Sequence, residues 1–275
     1  MIPKIIHFCW MSGEPYPDLI QECLDSWKEK LPNYRVIKWD CSNFDYTKFP
    51  YANEAMSKKK YAFVSDIVRL YALYNYGGIY LDSDIKVLKN FDDLLANRAF
   101  TGFESKDYIG VWLLGSEQHN PFFKELLHCY DGRHFLLDNG EMDLTPNPVI
   151  LGAVFERHGI KYNNKFQQLD NITVYPQDYF CPLNGSTGEL NITENSYAVH
   201  LFNGAWRNEK DILLSKAYQS AYQSLPNCLA NIMKDKISKS YAAYKVGGMR
   251  LFIQKAGGFI EKKMGVSRVL CKSIQ

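Results

Sequence analysis

No stretch of 18 or more apolar residues occurs anywhere in these 275 residues, so no segment has the length to cross a bilayer as a helix. There is no Cys-x-x-Cys either. The seven cysteines, at positions 9, 23, 41, 129, 181, 228 and 271, are odd in number and scattered. That pattern argues against structural zinc or a disulfide framework and suits a reducing compartment. No Gly-rich loop leads into a Lys as a phosphate-cradling loop would. The opening Ile2-Pro3-Lys4-Ile5-Ile6-His7-Phe8 lacks the apolar core of a secretory leader, so a cytoplasmic location is expected. The Asn-x-Ser/Thr sequences at Asn171, Asn184 and Asn191 are accordingly read as chance. Internal repeats and low-complexity segments are missing too.

Net charge is also scarce, at +2, but it is unevenly spread. Residues 228–275 carry ten Lys/Arg against two Asp/Glu, a net of +8, while residues 1–227 carry 22 against 28, a net of −6. An acidic domain with a basic tail is not the footprint of a general nucleic-acid binder. Two parts follow: a domain over 1–227 and a basic, amphipathic helical tail over 228–275. In the tail, Ile232, Met233, Ile237, Tyr241 and Tyr244 fall near one helical face, with lysines elsewhere. Such a segment can lie flat on an anionic membrane; packing on the domain or a dimer contact is the plainer reading.

What is abundant is core material. Apolar residues make up 46% and aromatics 15% of the chain, enough for one large globular domain. Strands are expected over 3–9, 34–39, 79–82, 85–88, 99–103, 109–114, 172–175 and 197–202. Helices are expected over 17–31, 59–75, 120–130, 147–158 and 211–224. The helix over 17–31 shows an apolar stripe of Ile20, Cys23, Leu24, Trp27 and Leu31. Strands alternating with helices in the first half indicate an α/β domain with a mostly parallel sheet.

Within this frame the run Tyr76-Gly77-Gly78-Ile79-Tyr80-Leu81-Asp82-Ser83-Asp84 carries chemistry. Two carboxylates one residue apart at a strand end project to the same side. They can hold a hard divalent cation, Mn²⁺ or Mg²⁺, with coordination places left for phosphate oxygens. The bland alternative is ordinary turn chemistry. Upstream, Asp66 and Arg69 stand three apart on the helix and interrupt an otherwise apolar stretch. A surface salt bridge is the common reading of such a pair, but a partly buried one needs partners. Far downstream His200 opens His200-Leu201-Phe202-Asn203-Gly204-Ala205-Trp206-Arg207. A lone His is more often structural, though a neutral imidazole suits a Mn²⁺ site.

The segment from Tyr61 to Leu88, above all Ser65-Asp66-Ile67-Val68-Arg69 followed by the Gly77-to-Asp84 run, resembles the DXD region of glycosyltransferase family 32. That group includes capsule and lipopolysaccharide transferases and Och1-like mannosyltransferases. The segment is also similar to the catalytic domain of the large clostridial glucosylating toxins. Ile2 to Trp10 looks like the family's first strand. His200 to Arg207 looks like its C-terminal element, with Ala205 where Ser is usual. The resemblance implies a GT-A fold and metal-dependent, retaining transfer of a hexose from a nucleotide sugar to a glycan acceptor. Carried over, Asp84, Asp82 and His200 would be metal ligands, with Asp82 also touching the donor. Asp66 and Arg69 would hold donor-sugar hydroxyls, and Tyr80 would sit at the diphosphate or sugar. Phe8, Cys9 and Trp10 would line the base pocket, Asn203, Gly204 and Trp206 would close over the diphosphate, and Asn147 is a plausible sugar or acceptor contact. UDP-galactose or UDP-glucose is expected ahead of a GDP-sugar. The acceptor is expected on a polyprenyl diphosphate lipid at the inner face of the plasma membrane.

Other readings stay open on the residues alone. An aspartyl-phosphate phosphatase would place Thr or Val two residues after the second Asp, where this chain has Lys86. A nucleotidyltransferase lacks its phosphate loop here. A non-catalytic sugar-binding or scaffold domain would bind without turnover.

Overall fold

The structure is a computed structural model that describes residues 1–204, 209–226, 231 and 233–247. The chain divides into two compact units, Met1–Leu183 with Leu190–Trp206, and Asn184–Glu189 with Arg207–Gln275. The boundary drawn from the sequence at 227/228 differs, because the helix before it groups with the residues after it.

The first unit contains, in order, β1 (Ile5–Cys9), α1 (Asp18–Lys30), β2 (Arg35–Trp39), α2 (Pro50–Ser57), α3 (Tyr61–Tyr76), β3 (Gly78–Leu81), β4 (Ile85–Val87), β5 (Ala99–Ser105) and β6 (Tyr108–Ile109). There follow β7 (Leu113–Ser116), α4 (Pro121–His128), α5 (Asn147–Arg157), β8 (Gln167–Gln168), β9 (Thr173–Tyr175), α6 (Gln177–Phe180) and β10 (Ala198–His200). The main sheet has the order β2-β1-β3-β7-β5-β9-β8, with β6 on the flank of β5. β1 runs parallel to β2 and β3, and β5 parallel to β9, while β7 lies antiparallel between β3 and β5. The α/β expectation is met. The strand expected over 109–114 is instead two: β6 turns back along β5, and β7 crosses to pair with both β3 and β5.

Helices cover both faces of this sheet. On one side α1 buries Ile20, Cys23, Leu24 and Trp27, the stripe its periodicity gives, with Leu31 buried just beyond its end. On the other side α3 is buried almost all round, at Phe63, Val64, Ile67, Val68, Leu70, Ala72 and Leu73, because it is enclosed by the sheet, α2 and α4. That enclosure explains why α3 lacks a polar face. Helix α2 was not expected from the sequence; Pro50 at its first turn was the available signal.

The α3–β3 junction sets the site. Gly77 ends the helix at φ 66°, with its N–H on Leu73 O at 3.0 Å, and Gly78 follows at φ 109°. A Cβ at Gly78 would stand 2.6 Å from Ile5 O in β1. Only glycine combines that backbone with that approach. Gly78→Ala is expected to cost about 2–3 kcal/mol through left-handed strain and a backbone clash; urea unfolding giving an unchanged midpoint would contradict this. His7, paired with Tyr80 in register, takes part in the same junction through its Nε2 and Gly77 O at 2.7 Å.

In the second unit, α7 (Glu209–Ser224) is followed by helical residues 233–247, here α8. Among the described residues, no helix is long and apolar enough to cross a membrane. The part of the expected basic tail beyond residue 247 lies outside the described residues.

Candidate active site

Asp82 and Asp84 do not lie on a strand. β3 ends at Leu81, the two carboxylates occupy a turn, and β4 starts at Ile85. Strand alternation therefore is not what aims them together. The turn is closed by Ile85 N–H donating to Asp82 O at 3.1 Å and pinned by Asp82 N–H donating to Trp112 O at 2.8 Å. β4 in turn is anchored on α1: Trp27 Nε1 donates to Ile85 O at 2.7 Å, and Val87 N–H donates to Ser26 Oγ at 3.0 Å. The residue types that build the α1 core thus also fix the strand leaving the acidic turn.

His200 arrives by strand pairing. β10 runs antiparallel to β4 with His200 opposite Ile85, and Leu201 N–H donates to Asp84 O at 3.1 Å. This places His200 Nε2 3.5 Å from Asp84 Oδ1. Ligand atoms of Asp82, Asp84 and His200 all lie within 4.8 Å of one another. The other carboxylate oxygen of Asp84 accepts Asn203 N–H at 2.8 Å. The His200 ring stacks on Trp112 at 4.9 Å between centroids. Its Nδ1 is buried without a hydrogen-bond partner among the described residues. Two carboxylates and an imidazole within this span form a donor set suited to Mn²⁺ or Mg²⁺, so the residues fit the expected metal.

Next to this cluster Arg69 is buried, its side chain 5% exposed. Its Nη2 stands 3.2 Å from Asp66 Oδ1 and 3.2 Å from Asp82 Oδ1, Nη1 donates to Val111 O at 3.0 Å, and Nε donates to Ser65 O at 3.3 Å. The pair is no surface salt bridge: Arg69 ties the helix to the acidic turn. Tyr80 Oη donates to the same Asp82 oxygen at 3.0 Å, and its ring lies under the guanidinium at 5.1 Å.

The charges are set by opposing effects. Burial pushes the Asp66 carboxyl up to about 7, against the pull of Arg69. Burial also raises Asp82, Arg69 opposing and Asp84 assisting. Burial would raise Asp84 too, but His200 and the Asn203 N–H outweigh it and hold that carboxyl below its ordinary value. Conversely, burial lowers His200, and the Asp84 and Asp82 charges more than reverse this. The two aspartates are thus electrostatically distinct, one bonded to the arginine, the other to the histidine.

The remaining expected residues fall as follows. Cys9 ends β1 on the α3 side, its thiol pushed up by burial and within the field of Arg69, Asp82 and Asp66. Phe8 faces the other way, 4% exposed, edge-on to Trp27 at 5.4 Å. Trp10 meets Tyr16 at 5.0 Å, and its Nε1 donates to Glu14 O. Asn147, the first residue of α5, is 5% exposed; its Nδ2 donates to Tyr130 Oη at 2.5 Å, and its Oδ1 has no partner among the described residues. Its amide is close enough to Asp66 to lower that carboxyl. Gly204 is at φ 65° beside Asn203. Trp206 lies outside the described residues. Trp112, Tyr130 and Tyr51 were not expected; Tyr51 Oη is fully buried, has no partner among the described residues, and feels the Asp66 charge. Buried aromatics are the default core residues, so the sequence carries no signal that sets these apart.

Residues 1–131 match the family model described as Capsular polysaccharide synthesis protein. The mannosyl phosphorylinositol ceramide synthase SUR1 of Saccharomyces cerevisiae is 30% identical over 58% of this chain and 43% of its own. Inositol phosphoceramide mannosyltransferase 2 of Schizosaccharomyces pombe is 24% identical over 76% of this chain and 59% of its own. The chain thus spans about half the length of these curated relatives. Among solved structures, the PaToxG glycosyltransferase superposes with a TM-score of 0.44 at 18% identity, covering 57% of this chain and 68% of its own. The second of these relatives is a mannosyltransferase by name, as the resemblance implied, and the mixed sheet is consistent with the expected GT-A architecture.

Proposed function

We propose that this chain is a retaining, metal-dependent glycosyltransferase that moves a hexose from a nucleotide sugar to an acceptor carried on a lipid. The observation that carries the reading is the meeting of Asp82, Asp84 and His200 within 4.8 Å, beside a buried Arg69. Solvated acidic turns do not recruit a buried arginine and a distant histidine. Asp84, Asp82 and His200 would hold a divalent cation, which when bound neutralises charge developing on a nucleoside diphosphate leaving group.

The chain's own groups then have separate tasks. Arg69 orients Asp66 and Asp82, so that the Asp66 carboxyl and the Asn147 amide can take donor-sugar hydroxyls. Tyr80 orients Asp82 from its other side. Asn203 and Gly204 close over the diphosphate, with Trp206 following them in the chain. The end of β1, from Phe8 to Trp10, borders the base. Retention of configuration follows from the resemblance, the leaving phosphate helping to accept the acceptor's proton.

Two relatives are named for ceramide glycosylation, which favours a ceramide lipid as the acceptor over the polyprenyl diphosphate carrier expected from the sequence. They also bring a mannosyl donor into contention with UDP-galactose and UDP-glucose. The working surface is the cytoplasmic face of an anionic membrane, reached through residues 228–275.

A thermal-shift panel of UDP-galactose, UDP-glucose and GDP-mannose, each with Mn²⁺ or with EDTA, tests this. A ligand at about 100 times its Kd stabilises the folded state by about 2.7 kcal/mol, a rise of roughly 5–10 °C for a domain of this size. One sugar nucleotide should give that rise with Mn²⁺ and little with EDTA. No response to any of them rejects the assignment, and a response without sugar transfer favours the binding-domain reading.

A further inference from the structure

Helix α8 (residues 233–247) is inside out. Its buried positions are small or polar: Ser238 is 0% exposed, Ala242 1% and Ala243 0%, and Lys234 at 3% lays its ammonium 4.5 Å from the Tyr222 ring of α7. Its large apolar residues face outward instead: Met233 is 51% exposed, Ile237 43%, Tyr241 44% and Tyr244 55%. The spacing of these four, i, i+4, i+8 and i+11, places them on a single stripe. Lys236 and Lys245 flank that stripe on either side, both exposed, and Lys245 reaches over the Tyr241 ring at 5.7 Å. The helix carries one acidic residue, Asp235, which is turned toward α7, where Tyr218 Oη donates to it at 2.8 Å, and which also pairs with Lys239.

A soluble helix normally buries its large apolar side chains and exposes small ones. This one does the reverse while keeping its only carboxylate engaged. Isoleucine and methionine between two tyrosines, edged by lysines, match the chemistry of the headgroup boundary. There apolar side chains enter the acyl region, tyrosines sit at the interface, and ammonium groups meet lipid phosphates. The net +8 of residues 228–275 supplies the complementary charge.

We infer that the Met233–Ile237–Tyr241–Tyr244 face of α8 docks on an anionic lipid surface. This deepens the membrane-surface part of the proposed function and rests on it. Its test, however, does not depend on sugar transfer. The full chain is sedimented with phosphatidylcholine vesicles, with and without about 30% phosphatidylglycerol. The wild type should partition at least ten-fold more strongly onto the anionic vesicles. Ile237→Gln with Tyr241→Gln and Tyr244→Gln should weaken that partition at least ten-fold and leave the melting temperature unchanged. Lys236→Gln with Lys245→Gln should bring it toward the neutral-vesicle level. Sedimentation of the triple variant equal to wild type, or equal uptake by neutral vesicles, overturns the inference. So does a wild-type dimer that the triple variant dissociates without any vesicle binding, which would make the occupant a second copy of this chain. Vesicle binding lost alongside intact response to nucleotide sugars supports the docking face; docking with no nucleotide-sugar response rejects the transferase reading alone.

Discussion

Asp84→Asn is expected to lower metal-dependent sugar transfer by roughly 10³-fold, equivalent to about 4 kcal/mol of transition-state stabilisation, with the fold retained. The substitution keeps an oxygen able to accept Asn203 N–H, which the aspartate now holds at 2.8 Å, and it preserves side-chain volume. What it removes is the negative charge that faces His200 and that is held low by it. Without that charge the cluster keeps one carboxylate, Asp82, already engaged by Arg69 and Tyr80. The variant should therefore also lose the Mn²⁺-dependent part of any thermal stabilisation by a nucleotide sugar. Near-UV circular dichroism matching wild type would establish that the loss is local. Turnover within ten-fold of wild type would mean that the metal, if required, is held elsewhere, and the site assignment would fail.

The local parts of this site were legible and the non-local parts were not. The α1 stripe, the Gly77-Gly78 stop and the i, i+3 pairing of Asp66 and Arg69 are consequences of short-range periodicity, and each stands where its spacing put it. The acidic pair sits in a turn, where strand alternation does not apply, and hydrogen bonds to Trp112 and within the turn do the positioning. Period-two alternation does hold on β1. There it sends Phe8 and Cys9 to opposite faces of the sheet, Phe8 to the Trp27 side and Cys9 to the α3 side. His200 is different in kind. Only the β4–β10 pairing brings it to Asp84, and no local pattern encodes which distant strand will lie alongside. The resemblance to a known family supplied what periodicity had no means of supplying. Tyr130 marks the remaining gap: its hydroxyl accepts from Asn147, and a buried tyrosine with polar work to do looks, in sequence, like one that only fills space.

Replacing Arg69 by Met should destabilise the protein by about 3–5 kcal/mol near neutral pH, since breaking a buried ion pair leaves uncompensated charge. For a chain of this size that corresponds to a fall of roughly 6–20 °C in melting temperature. The geometry makes the cost large. One guanidinium faces both Asp66 and Asp82 and also satisfies Ser65 O, Ser65 Oγ and Val111 O. Methionine fills the space but leaves two carboxylates, with Asp66 and its neighbour Asn147 both deeply buried. The sign of the pH dependence follows from the direction of the shift. Asp66 already has a folded-state value raised to about 7, against an unfolded value near about 4. Its contribution is therefore fully present below the unfolded value and is lost as pH rises through the folded one. Without Arg69 both carboxyls rise further, so the protein must either keep them protonated or bury bare charge. The stability gap between Arg69→Met and wild type should accordingly be small near pH 5 and widen toward pH 8, and urea unfolding at both values measures it. Arg69→Lys should fall between the two, because an ammonium restores the charge but not the fork that reaches both aspartates and Val111 O. A gap below about 1 kcal/mol that does not change with pH would show that the arginine is solvated and that the acidic turn is held by its backbone bonds alone.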